Sequence, residues 1–252
     1  MTKCLVRTAF AAALVCAAGS AQTATAKKTT APQRPKETFW EWALRFSGIS
    51  VTPNTLKGAG EELLPGQIWV ADLTSGARRR VTPGDGYRSP VYFAIGSDIL
   101  ALQGAYAVRI SSGGDKPAQL YKIAGIAKLV GFSVDNPEEV LILREDDAGH
   151  ALPARLSVST GTVTPLPYDP QSNRDRQMLE HLQDWQRSYG GTTVYVKRES
   201  KEAMSGTVDI LNVFVKAPGR DPRNVSLCDT ANCGQPSLSP DGNRVLFIKA
   251  AL

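Results

Sequence analysis

The chain has 252 residues, 42% of them hydrophobic, enough for a packed core, and its 22 Gly and 16 Pro make up about 15% of its length. That turn-rich balance suits an all-β protein and excludes a collagen-like or wholly disordered chain. The formal charge is +5, reduced to +3 once the leader-like first segment is set aside, which is too mild to imply nucleic acid as a partner, and two His, His150 and His181, argue against a multi-His metal site.

The first 26 residues have the three-part layout of a secretory signal peptide: Lys3 and Arg7, then the small apolar run from Thr8 to Ala18, then a small-residue tract ending Ala24-Thr25-Ala26. Cleavage is expected after Ala26 or after Ala21. Removing Lys3 and Arg7 with it leaves 27 basic against 24 acidic residues, a charge of +3. Cys16 follows Leu14-Val15, whereas a lipoprotein site wants a small residue immediately before the Cys, so lipidation is disfavoured. No other run approaches the roughly 18 apolar residues of a membrane span. The expected mature chain is therefore periplasmic or secreted, with no integral membrane segment.

Residues 27–38 read as a flexible linker, because Lys27 to Lys36 is polar, contains proline and shows no periodicity. Residues 39–64 form an N-terminal aromatic segment. Phe39, Trp42 and Phe46 recur at i, i+3 and i+7 beside Trp40 and Leu44, as in a short amphipathic helix. It either docks on the body of the protein or binds a partner, with Phe39, Trp40 and Trp42 as candidate partner-binding residues.

From residue 65 to 252 the sequence repeats. Four segments, Gln67 to Pro83, Ala105 to Ile123, Ala151 to Tyr168 and Val208 to Cys228, each alternate as two strands around a turn. Their starts lie 38, 46 and 57 residues apart, near the period of a four-stranded propeller blade. Interleaved with them are four units of a second kind: Val91 to Gln103, Val130 to Arg144, Asp184 to Lys197 and Pro236 to Lys249. The chain starts with the second half of a blade and ends with the first half. The expectation is an all-β propeller of about four blades, closed by N- and C-terminal repeat strands that remove an open sheet edge.

Several segments stand apart within this pattern. Between Pro170 and Gly190, Ser172 or Asn173 can cap a helix of about three turns carrying Met178, Leu182 and Trp185 at i, i+4 and i+7. This short insertion packs its stripe on the propeller or forms part of a recognition surface. Glu145-Asp146-Asp147, with Gly149 and His150, is the densest acidic cluster, but its spacing matches no defined calcium loop and suits a solvated hairpin tip. Arg78-Arg79-Arg80 alternates across a short strand, so it reads as a solvated edge that discourages strand addition. Cys228 and Cys233 are the cysteines of the mature chain. An oxidising compartment favours a structural disulfide between them, worth about 2 kcal/mol for so short a loop; free thiols are the alternative, and zinc lacks two nearby ligands.

Ser239-Pro240-Asp241-Gly242-Asn243-Arg244-Val245-Leu246-Phe247 resembles the hallmark of the TolB-like (WD40-like) β-propeller repeat family. Ile68-Trp69-Val70-Ala71-Asp72-Leu73-Thr74-Ser75-Gly76, followed by Arg80-Val81-Thr82, resembles the second half of the same repeat. The middle copies depart from it: Ala94-Ile95-Gly96-Ser97 and Ser133-Val134-Asp135-Asn136 replace the Ser-Pro-Asp-Gly turn, and the third copy keeps only Gly190-Gly191. The resemblance spans about Gly66 to Leu252 and implies a periplasmic or secreted propeller. Members commonly bind proteins or peptides, some are domains attached to peptidases, and the TolB propeller itself has more blades than the four units here.

A Ser-His-Asp hydrolase needs a His held by both partners, and peptidase relatives carry theirs on a separate α/β domain with a Gly-x-Ser-x-Gly elbow that this sequence lacks. His181 falls in the helical insertion, and Asp241 and Gly242 are turn residues. No catalytic residue, metal or cofactor is expected. The functional expectation is a non-catalytic propeller that binds an envelope protein or peptide. The alternatives are a hydrolase or lyase acting on carbohydrate or peptide in the propeller funnel, and a scaffold subunit of an envelope complex. Converging carboxylates at the central channel would favour the enzyme; an apolar or mixed funnel would favour binding.

Overall fold

The computed structural model describes residues 65–252 apart from 112–116, 134–135, 184–186 and 204–205. The aromatic segment, with Phe39, Trp40 and Trp42, and Trp185 lie outside the described residues.

Among the described residues sixteen strands form four antiparallel four-stranded sheets, one per blade. Blade one is β3 (Tyr87–Tyr92), β4 (Ile99–Gln103), β5 (Tyr106–Ile110) and β6 (Ala118–Lys122), in that order from the centre outward. Blade two is β7 (Ile126–Phe132), β8 (Glu139–Glu145), β9 (Ala151–Ser157) and β10 (Val163–Pro165). Blade three is β11 (Arg187–Tyr189), β12 (Thr192–Ala203), β13 (Gly206–Lys216) and β14 (Arg223–Asn224). Blade four joins the two ends of the chain: β15 (Ala231–Leu238) and β16 (Arg244–Ala251) supply its inner half, β1 (Gln67–Asp72) and β2 (Arg78–Arg80) its outer half. The expected propeller of four blades with one short helix is thus the fold observed.

The closure lies between β1 and β16, where Ile68 stands opposite Ile248, Trp69 opposite Phe247 and Val70 opposite Leu246. Alternation along these strands sends Ile68, Val70, Leu246 and Ile248 into the core shared with blade one, and Ala71, Val245 and Phe247 into the core shared with blade three. Gly66 secures the start of β1. It exchanges two backbone hydrogen bonds of 2.9 Å with Tyr87, and a Cβ there would lie 2.4 Å from the Lys249 carbonyl oxygen.

Blade one also packs on blade two through Leu100, Leu102, Leu129, Val140, Ile142 and Leu156. The other face of blade two, with Val130, Leu141 and Leu143, is covered by helix α1 (Asn173–Gln183) through buried Met178 and Leu182. Burying two such side chains contributes roughly 1.5–3 kcal/mol each. Ser172 is the N-cap, its Oγ accepting the Asp175 N–H at 3.3 Å, and Asp175 favours the positive end of the helix dipole. At the other end the buried ammonium of Lys128, on β7, donates to the Gln183 carbonyl at 2.8 Å. Of the expected stripe, Met178 and Leu182 therefore pack on the propeller.

Blade three departs from the sequence reading in length. The strands were expected to end near Lys197 and resume near Val208, yet β12 and β13 pair from Thr193 opposite Lys216 out to Ala203 opposite Gly206. The extension carries no apolar alternation. Polar pairs hold it instead, with Ser200 Oγ donating to Asp209 at 2.6 Å and Arg198 bridging to Asp209 at 3.3 Å. No helix among the described residues is long and apolar enough to cross a membrane.

Candidate functional site: the mouth of the central channel

All four inner strands run toward the same end of the propeller, and a cavity of about 400 Å³ opens where they finish. Val91 and Tyr92 come from β3, Val130 and Phe132 from β7, Arg187 and Ser188 from β11, and Ser237 and Leu238 from β15. Tyr189, at the end of β11, and the turns that follow the other inner strands, with Ile95, Pro137 and Pro240, form its rim. The described lining is apolar with several hydroxyls, its one charged residue is Arg187, and it contains no Asp or Glu.

Local sequence fixes these turns. In blade four the hydroxyl of Ser239 bonds the Asp241 carboxylate and accepts the Arg244 N–H at 2.9 Å, while Gly242 supplies φ +70°. The Ser239 hydroxyl, the Asn243 N–H and the Arg244 charge hold the Asp241 carboxyl below its ordinary value of 3.8. In blade two Ser133 bonds across the corresponding connection, its Oγ accepting the Asn136 N–H at 3.2 Å and its N–H donating to the Glu139 carbonyl at 3.0 Å. In blade one Phe93 stacks on Phe132 with centroids 4.4 Å apart, and the Arg109 guanidinium lies 4.9 Å from the Phe93 ring. Arg109 is itself tied to Asp98 at 2.6 and 2.8 Å. This clamp holds the turn that presents Ile95, which is 75% exposed.

At the wall of the cavity, Tyr92 is buried, and burial pushes its hydroxyl above the ordinary value of 10.0. Arg244 lies 5.5 Å from its ring and pairs with Asp241 at 3.8 Å. The site offers an apolar, pre-shaped surface with fixed hydroxyls. Such a surface can bury an apolar side chain.

The residues singled out in the sequence fall elsewhere. Cys228, in the loop between β14 and β15, and Cys233, on β15, are disulfide-bonded and buried, with Cα atoms 6.2 Å apart. Asp146 caps the turn between β8 and β9, accepting N–H bonds from Ala148 and His150 at 2.9 and 2.8 Å. Among the described residues no group of three or more His, Cys, Asp or Glu is arranged to hold a metal ion. Arg78, Arg79 and Arg80 form the exposed outermost strand of blade four, and His181 lies on α1. Sequence reasoning missed the cavity because its lining is gathered from four hairpins, and no single hairpin carries a motif for it.

No protein-family model and no curated protein matches the sequence. Solved structures that are similar include a putative TolB from Agrobacterium tumefaciens, at 13% identity and a TM-score of 0.36, covering 72% of this chain and 60% of that one. TolB from Acinetobacter baumannii matches at 12% identity and a TM-score of 0.32, over 71% of this chain and 46% of that one. A variant of the AtxE2 isopeptidase with Astexin3-dC4 bound matches at 12% and 0.31, over 65% and 26%. The chain spans less than two thirds of the length of each of these proteins.

Proposed function

We propose that this protein is an exported, non-catalytic propeller that binds an envelope protein or peptide at the mouth of its central channel. The observation that carries this reading is the chemistry of the cavity: an apolar wall with hydroxyls and one arginine, and no carboxylate among its described lining residues. A hydrolase or lyase acting in the funnel would need groups to move protons there, whereas a binding site draws its energy from buried apolar and aromatic contacts. Export is supported by the signal-like first 26 residues and by the disulfide, which suits an oxidising compartment.

Phe39, Trp40 and Trp42 remain proposed as a second part of the contact. Affinity purification of the full chain from cross-linked cells of the source organism tests both parts. Ile95→Asp, and separately alanine at Phe39, Trp40 and Trp42, should weaken recovery of the same partner while the melting temperature stays unchanged. Unchanged recovery in the Ile95 variant removes the channel mouth from the proposal. A melting temperature several degrees lower in the alanine variant shows the aromatic segment to be core.

A further inference from the structure

The loop between β14 and β15 lies at the end of the propeller opposite the cavity, where the inner strands begin. A buried hydrogen-bond network and a disulfide fix it. Asn212, fully buried, accepts the Cys228 N–H at 2.7 Å and the Ser226 hydroxyl at 2.9 Å, and donates to the Cys228 carbonyl at 3.2 Å and to Glu199 at 3.0 Å. Asn224 Oδ1 accepts the N–H groups of Ser226 and Leu227 at 3.1 and 2.9 Å. The disulfide closes the loop from the other side.

This framework forces Leu227 to φ +48°, and leaves it 52% exposed. A left-handed backbone is strained for any residue with a Cβ, and Gly or Asn is the ordinary occupant. The strain gains nothing in packing, since the side chain faces solvent. Strain held in place by surrounding bonds is a mark of recognition sites.

Cations converge on the same loop. Lys201 bonds the Asp229 carboxylate, and Arg78 Nη1 donates to the Ser226 carbonyl at 3.3 Å. Lys249 stands opposite Cys233 in the strand register, its ammonium 5.0 Å from the Trp69 ring. Lys201, Lys249 and Arg78 all hold the Asp229 carboxyl below its ordinary value, with the Lys201 hydrogen bond the largest cause. Arg78 and Lys201 thus bond the loop directly, and Lys249 lies beside it in the strand register. The nearby Glu199 is engaged by Asn212 and Asn224 and lies 4.0 Å from Lys197.

We propose that this loop is a second recognition surface, which takes an acidic segment of a protein partner by packing an apolar side chain on Leu227 and placing carboxylates at Arg78, Lys201 and Lys249. The surplus positive charge selects the sign of the partner, and the rigid loop lowers the ordering cost of binding. The inference stands independently of the channel mouth.

Fluorescence anisotropy of the mature chain with a short labelled peptide of alternating Glu and Leu tests it, against a Lys/Leu counterpart and vesicles of anionic phospholipid. The Glu/Leu peptide should bind, the Lys/Leu peptide should not, and affinity should fall as salt is raised. Leu227→Asn should weaken binding about tenfold without lowering the melting temperature, because Asn tolerates the left-handed backbone. Lys201→Glu should weaken it as well, and Ile95→Asp at the channel mouth should not. Absence of Glu/Leu binding at low salt, binding indifferent to both loop variants, or vesicle binding through the same residues without peptide binding would overturn the proposal.

Discussion

Ser89 donates its backbone N–H to Oε1 of Gln235 at 2.7 Å, and both residues sit at positive φ, +50° and +53°, in the neighbouring inner strands β3 and β15. Each lies within a register shift of its strand and precedes a proline, Pro90 or Pro236. Both are buried, so the side chain of one strand supplies the hydrogen bond that the bulge in the other leaves open. Gln235→Ala removes that acceptor and strands a buried donor. The expected cost is about 1–3 kcal/mol, read as a lower denaturation midpoint at unchanged m-value.

Ring closure makes a stronger demand on the C-terminus. Deleting Pro236 to Leu252 removes β16 and leaves β1 with an unpaired edge and two uncovered core faces. Aggregation or loss of cooperative unfolding is expected, measured by light scattering and calorimetry. Gly66→Ala should give a milder form of the same defect, because its Cβ meets the Lys249 carbonyl. A truncated chain that stays monomeric with an unchanged transition would contradict the shared blade.

The hairpins and their closure were legible because period-2 alternation and turn residues are local signals. Trp69 and Phe247 announce buried strands in their own segments, and the offset repeat then requires them to pair. What was not legible is non-local or polar. The outer ribbon of β12 and β13 has no apolar alternation to reveal it, and Leu227 carries no sign in sequence that a network around Asn212 forces its backbone to positive φ. The cavity gathers short stretches from each of four blades, so Ile95 and Leu238 read as ordinary hairpin residues.

Export and disulfide formation predict a specific mature mass. Protein isolated from the source cells without reductant should begin at Lys27, or at Gln22 for cleavage after Ala21, with Cys228 and Cys233 resistant to alkylation. Their burial means that reduction should require unfolding or strong reductant. A chain retaining Met1 to Ala21, or two freely alkylated thiols, would contradict export into an oxidising compartment.

Acid stability follows from the turn carboxylates. The hydrogen bond from Ser239 first, then those from Asn243, and the charge of Arg244 depress the Asp241 carboxyl in the folded state. A depressed carboxyl stabilises the fold fully above its ordinary value of 3.8, and that contribution is lost as pH falls below 3.8 through the depressed value. Asp146, held down chiefly by the His150 N–H, acts in the same sense. Melting temperature should therefore drop on acidification below about pH 4, and the drop should be smaller in Asp241→Asn. An identical acid profile in that variant would contradict the assigned turn.

The central claim, binding at the channel mouth, is tested most directly by photo-crosslinking. Ile95 is exposed at the rim, while Leu120 is exposed on the outer strand β6 and serves as control. With benzoylphenylalanine at position 95 in the source cells, the predicted result is a discrete adduct to one envelope protein, competed by unmodified propeller and absent with the label at position 120. An adduct at position 120 but not at 95, or no adduct at 95 in cells that retain the partner by affinity purification, would contradict the account.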